Sequence, residues 1–147
     1  MNEFQPGTMN RAIFELTAPY DNPYQGQFPR WLFVCSAGLL RSPTGAALAN
    51  HRGINARACG AMLDYALIPI SANLVAWAHK IVFVHPEVHH EALEYVFEDS
   101  AEIRQAIQSK EVVLDIPDMY PYMHQHLVEL FEEQLFKPLG IEYPGHS

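Results

Sequence analysis

From residue 31 onward, short apolar runs alternate with longer mixed stretches. Trp31-Leu-Phe-Val34 and Lys80-Ile-Val-Phe-Val84 are nearly unbroken apolar runs, as expected of strands buried on both faces, and Glu111-Val-Val-Leu-Asp-Ile116 is a third clear strand. Asn55–Cys59, closed by Gly60, is a weaker candidate. The intervening stretches carry helical signals. Thr44 to Asn50 is Ala-rich; Ser42 suits the N-cap, Pro43 the first helical position and Gly53 the stop. Ser71 can cap a helix through Asn73–His79, with Leu74 and Trp77 on its apolar face. Glu87–Phe97 and Ala101–Gln108 follow, the latter capped by Ser100, and Tyr122–Phe136 places Leu127, Leu130, Phe131 and Leu135 at helical intervals. Strands alternating with helices predict an α/β fold with a parallel sheet.

Residues 1–29 break the pattern. They are rich in Pro, Asn, Gln and Gly and read as an N-terminal extension, with a short ordered piece at Ala12–Leu16, ahead of a domain over residues 30–147. At 147 residues, 49% hydrophobic and 18% charged, the chain has the makings of one globular domain. No apolar run approaches the roughly 20 residues of a membrane span, and no secretory signal opens the chain. A cytoplasmic protein with no membrane partner is expected. A formal charge of −8 argues against nucleic acid as a partner, and an anionic ligand must be drawn in by local geometry. In a reducing compartment Cys35 and Cys59 are either buried small hydrophobes or reactive thiols. Oligomeric state is open.

The first strand runs into Cys35-Ser-Ala-Gly-Leu-Leu-Arg41-Ser42, and a helix follows. In an open parallel sheet, ligands bind where strand carboxyl ends meet helix N-termini, and inward-pointing N–H groups there make an anion site. Within it Arg41 can clamp two phosphate oxygens, and Cys35 can attack phosphorus as its thiolate, the form that a helix N-terminus and a nearby cation favour. Ser42 can donate to the sulfur, and Gly38 can take the positive φ that a tight cradle requires. The competing reading is a structural Cys beside a surface Arg.

Attack by a thiolate on a phosphate ester also needs an acid for the leaving oxygen. Asp118 lies just past the third strand in the Pro-marked loop Leu114-Asp-Ile-Pro-Asp-Met-Tyr120; Asp115, within the strand, is its rival, and a plain loop or cap role for Asp118 is the alternative. Tyr120 and Tyr122 flank this loop, as walls for an aryl phosphate or as core packing. His85, His89 and His90 lack a fourth metal-ligand pattern and read as a solvated helix start, and His124 and His126 as an exposed helix face.

Phe33-Val-Cys35 through Arg41-Ser-Pro43, with Asp118-Met-Tyr120 before the last helix, resembles the low-molecular-weight protein tyrosine phosphatases over about residues 31–137. The Leu114–Met123 stretch looks closer still to a bacterial branch of predicted phosphatases in that superfamily. The resemblance implies a three-layer α/β/α fold around a four-stranded parallel sheet, and metal-free, cofactor-free hydrolysis through a phosphocysteine. It assigns Cys35 as nucleophile, Arg41 as phosphate clamp, Asp118 as general acid, Ser42 as thiolate-stabilising hydroxyl and Tyr120 as a pocket wall. Ser36, Ala37, Gly38, Leu39 and Leu40 form the substrate-binding loop, and the substrate is a phosphorylated protein or a small phosphate ester. The family loop usually reads Cys-x-Gly-Asn-x-Cys-Arg-Ser. Here Ala37 and Gly38 replace Gly-Asn, removing a side chain that braces the loop; Leu40 replaces the second Cys, and Met119 the Pro of the acid element.

Two other functions fit the same residues. Arsenate reduction on this scaffold needs further cysteines for a disulfide relay, and only Cys59 remains. A phosphate- or phosphoprotein-binding module with little turnover needs neither Cys35 nor Asp118.

Overall fold

The computed structural model describes residues 29–38 and 40–141. The expected extension, including Ala12–Leu16, therefore lies outside the described residues except for Pro29, as does the loop residue Leu39. Four strands, β1 (Arg30–Cys35), β2 (Asn55–Gly60), β3 (Lys80–Phe83) and β4 (Glu111–Val113), form one parallel sheet in the order β2-β1-β3-β4. The helices are α1 (Arg41–Asn50), α2 (Ala72–Trp77), α3 (Pro86–Glu91), α4 (Ala101–Gln108) and α5 (Gln125–Phe131). Both α3 and α5 run on into a wider π turn, at Ala92–Val96 and Glu132–Phe136. The α/β/α arrangement follows from burial on both sheet faces, with α1 packed on α5 and α2 on α4.

The apolar runs become the core because nothing in them has to meet water. Leu32, Phe33, Val34, Ile81, Val82 and Phe83 are completely buried. By strand alternation Trp31, Phe33 and Cys35 share one face of β1. Phe33 meets Phe131 edge-on at 6.0 Å, and Trp31 stacks on Phe136 at 6.4 Å, so this is the α5 face. Burial of each such ring or aliphatic side chain contributes about 1.5–3 kcal/mol. The opposite face takes α2: Arg57 of β2 lies over the Trp77 ring at 4.8 Å. The Ser71 and Ser100 caps form as expected, accepting from Leu74 N–H and Ile103 N–H.

Three differences in element boundaries have a local reason. The run Glu111–Ile116 pairs as a strand only to Val113. Leu114 and Ile116 still donate to Phe83 O and Val84 O at 2.8 and 2.9 Å, but β4 is an edge strand and Pro117, with no N–H to donate, follows. The last helix begins at Gln125 instead of Tyr122, because Pro121 and His124 close a turn in which Met123 takes φ +59°. The first helix begins at Arg41, ahead of Pro43, and Ser42 is not its N-cap; its hydroxyl is turned toward Cys35.

Candidate functional site

The strand order puts β1 between β2 and β3, whose connections lead to opposite edges of the sheet. The carboxyl end of β1 therefore opens onto the crevice where this fold class binds ligands. Cys35 is the last residue of β1 and is 3% exposed. Its Sγ receives the Gly38 N–H at 3.1 Å and lies 3.0 Å from Ser42 Oγ. Gly38 adopts φ +76°, which turns that N–H back onto the sulfur. Ser42 is completely buried, and its hydroxyl also donates to Cys59 O at 3.2 Å. One hydroxyl hydrogen thus has two acceptors in reach, the sulfur and a carbonyl.

The loop rests on the end of β2. Ala61 N–H donates to Cys35 O at 2.8 Å and Met62 N–H to Ser36 O at 2.9 Å. The approach is so close that a Cβ at Gly60 would stand 2.6 Å from Ser36 O and 2.8 Å from the carbonyl carbon of Ala37. These backbone contacts supply bracing that the loop's Ala37-Gly38 pair, with no polar side chain, cannot.

Arg41 is 5% exposed, so the reading of it as a surface residue does not hold. Its Nη1 donates to Ile116 O at 2.9 Å, and its Nε stands 3.6 Å from Asp118 Oδ1. The Asp118 side chain is 63% exposed at the mouth of the site. Cys35, Ser36, Ala37, Leu40, Arg41 and Asp118 line one cleft of about 310 Å³, together with Met62 and Tyr65. Asp115 is not among them; its carboxylate faces His85 Nε2 at 3.5 Å and is largely in solvent. Tyr120 does not line the cleft either, its ring being stacked on His124 at 5.4 Å and tilted against His126 at 5.1 Å. Both histidines are exposed.

Met62 and Tyr65 escaped the sequence reading. The available signal was Gly60: a chain leaving β2 beside β1 must pass the mouth of the Cys35 loop. Cys59 is in register with Val34, on the face opposite Cys35, and both cysteines are free thiols. Burial pushes the Cys59 thiol well above its ordinary pKa, and the neighbouring Cys35 adds to the effect. The three histidines after β3 diverge: His85 faces Asp115, His89 faces Glu111 at 2.7 Å, and His90 packs on Tyr95. Among the described residues no group of three or more His, Cys, Asp or Glu side chains is placed to hold a metal ion, and no helix is long and apolar enough to cross a membrane.

No protein-family model matches the chain, and no curated protein matches it. Solved structures do. A low molecular weight phosphotyrosine phosphatase from Vibrio cholerae O395 aligns with a TM-score of 0.58 at 16% identity, over 76% of this chain and 95% of its own. Wzb from Vibrio vulnificus, in complex with benzylphosphonate, gives 0.50 at 17% identity, over 71% and 90%. The YwlE arginine phosphatase from Geobacillus stearothermophilus gives 0.52 at 17% identity, over 76% and 93%. The chain has the low-molecular-weight phosphatase fold.

Proposed function

We propose that this chain is a cysteine-dependent phosphatase that hydrolyses phosphate monoesters, with protein phosphotyrosine as the substrate class. The observation that carries the reading is the convergence, in one cleft at the carboxyl end of β1, of a buried thiol, a buried guanidinium and an exposed carboxylate. Phosphatases among the structural neighbours support it.

The substrate phosphate enters the loop, where backbone N–H groups and the Arg41 guanidinium hold its oxygens. The Cys35 thiolate forms a bond to phosphorus as the ester P–O bond breaks, and Asp118 gives its proton to the departing oxygen. Water then attacks the phosphocysteine. Asp118 takes the water's proton, the S–P bond breaks, and the thiolate leaves with the Ser42 hydroxyl donating to it. Arg41 has to exchange part of its contact with Asp118 for phosphate, which also frees the carboxylate to face the leaving group. Tyr65 lines the cleft and is an aromatic side chain against which an aryl ester can pack.

The test is hydrolysis of an aryl phosphate with a chelator present, by wild type, Cys35→Ser and Asp118→Asn. Wild type turns over; Cys35→Ser abolishes turnover, and Asp118→Asn lowers it by about 10²–10⁴. Phosphate binding without turnover between pH 5 and 7 makes the chain a binding module instead. Damage from Asp115→Asn in place of Asp118→Asn overturns the acid assignment.

A further inference from the structure

Asp118 sits on a segment whose backbone is hydrogen-bonded to the body of the fold at two points. At its start, Ile116 donates to Val84 O and accepts from Arg41 Nη1. At its end, Met123 N–H donates to the Thr44 hydroxyl at 2.9 Å. Between these anchors, among the described residues, no backbone N–H or carbonyl of residues 117–120 or 122 bonds to the body of the fold. Thr44 is completely buried, one turn into α1, and its Oγ1 donates in turn to Leu40 O at 2.8 Å. Leu40 is the loop residue immediately before Arg41 and lines the cleft. One buried hydroxyl therefore joins the end of the anion loop to the end of the acid segment. Its one donor hydrogen and one of its two acceptor lone pairs serve that junction.

We propose that Thr44 is a positioning residue for the proton-transfer step: it fixes the far end of the Asp118 segment relative to the Cys35–Arg41 loop. This rests on the phosphatase reading above. Thr44 itself touches neither substrate nor sulfur. Its removal leaves Leu40 O still accepting from the Thr44 backbone N–H at 3.2 Å, so the loop keeps its helical start. The Met123 N–H is the group that loses its partner, at a residue already in the left-handed region. The segment carrying Asp118 then loses its hydrogen bond to α1 and is left with its Ile116 anchor, the Arg41–Asp118 contact and the packing of Tyr120 and α5.

The leaving group separates this role from a merely structural one. An ester with a good leaving group, 2,4-dinitrophenyl phosphate, departs with little help from an acid; phenyl phosphate needs the proton. The experiment compares kcat/KM for both esters in wild type, Thr44→Val, which keeps the side chain's shape, and Thr44→Ser, which keeps the hydroxyl. Inhibition by inorganic phosphate and thermal melting are recorded alongside. Thr44→Val is expected to lose about tenfold on phenyl phosphate, a part of what a general acid contributes, and less than about twofold on the dinitrophenyl ester. Phosphate inhibition stays unchanged, and Thr44→Ser restores the phenyl phosphate rate. Equal losses on both esters with weakened phosphate inhibition overturn the proposal in favour of a loop-building role. No loss on either ester, or a Thr44→Ser variant as impaired as Thr44→Val, overturns it outright. A Thr44→Val protein that does not fold leaves the Thr44→Ser comparison to decide. Absence of wild-type turnover on both esters is a different result, the failure of the phosphatase reading itself.

Discussion

Ser42→Ala isolates one step of the proposed reaction. The Ser42 hydroxyl has one hydrogen and two acceptors, Cys59 O at 3.2 Å and Cys35 Sγ at 3.0 Å. While the sulfur is uncharged, in the thiol or the phosphocysteine, the carbonyl is the better acceptor. As the S–P bond breaks and charge returns to sulfur, the hydrogen swings to Sγ. A hydrogen bond to a charged group contributes about 1.5–3 kcal/mol and one between neutral groups about 0.5–1.5. The net gain on departure of the thiolate is the difference, roughly 1–2 kcal/mol, or a factor of about 5–30 in rate. Removing the hydroxyl therefore slows phosphocysteine hydrolysis by about 5–30-fold. It leaves the attack step, in which charge departs from sulfur, less affected. In rapid mixing with p-nitrophenyl phosphate, the variant releases a burst of nitrophenol approaching one equivalent per enzyme, followed by a depressed steady state, with kcat and KM falling together. An unchanged kcat means that the hydroxyl never leaves Cys59 O. A parallel fall in kcat and kcat/KM with no burst means that Ser42 shapes the loop without assisting the sulfur. Either result refutes the reasoning.

Three further outcomes follow from the same geometry. Because burial holds the Cys59 thiol in its protonated form, iodoacetamide at neutral pH labels only Cys35, Cys35→Ser is unlabelled until unfolded in urea, and mass spectrometry reads both. Gly60→Ala forces a Cβ against Ser36 O and the Ala37 carbonyl carbon; overpacking of this kind costs about 1–3 kcal/mol, so the melting temperature falls by several degrees and the inhibition constant for phosphate rises. At the opposite end of the sheet His79 Nδ1 accepts the Arg30 N–H at 3.0 Å, and slight desolvation of its largely exposed ring, with Arg30 and Lys110 nearby, holds the imidazole below its ordinary pKa. The unfolded chain then binds more protons below about pH 6.5, so the stability due to His79 is fully present above that pH and is lost as pH falls through the lowered folded value; His79→Gln flattens the dependence of melting temperature on pH across this window.

Local signals marked the strands and helices wherever burial was two-sided or a cap was spelled out. Trp31–Val34 and Ile81–Phe83 have no polar position to place, so the runs themselves mark β1 and β3. Ser71 and Ser100 mark the starts of α2 and α4 because each has only its own helix to serve. Legibility failed where a residue answers to something distant in sequence. Ser42 carries every local mark of an N-cap, but the sulfur of Cys35 and the carbonyl of Cys59 compete for its hydroxyl, and the helix begins without it. Met62 and Tyr65 line the cleft only because β2 lies beside β1, a pairing that no local pattern specifies.

The same distinction explains how the Cys35–Arg41 loop and the Asp118 segment can differ from the low-molecular-weight phosphatase pattern on that fold. The Cys35–Arg41 loop has no asparagine side chain to brace it, and the Asp118 segment has Met119 where a proline would stiffen it. Neither position is rigid by its own covalent chemistry. The bracing comes from outside each segment: the N–H groups of Ala61 and Met62 hold the loop, while Arg41 Nη1 and Thr44 Oγ1 hold the two ends of the stretch that carries Asp118. Two of the four donors and acceptors in that scheme belong to α1, which begins at the loop's last residue. Shape at the site is thus transferred from individual side chains to the junction between α1 and the segment leading into α5. The side-chain differences at positions 37, 38 and 119 can be absorbed so long as that junction stands. Damage to the junction has no such remedy, because Arg41 alone cannot fix the direction of a carboxylate that is largely in solvent.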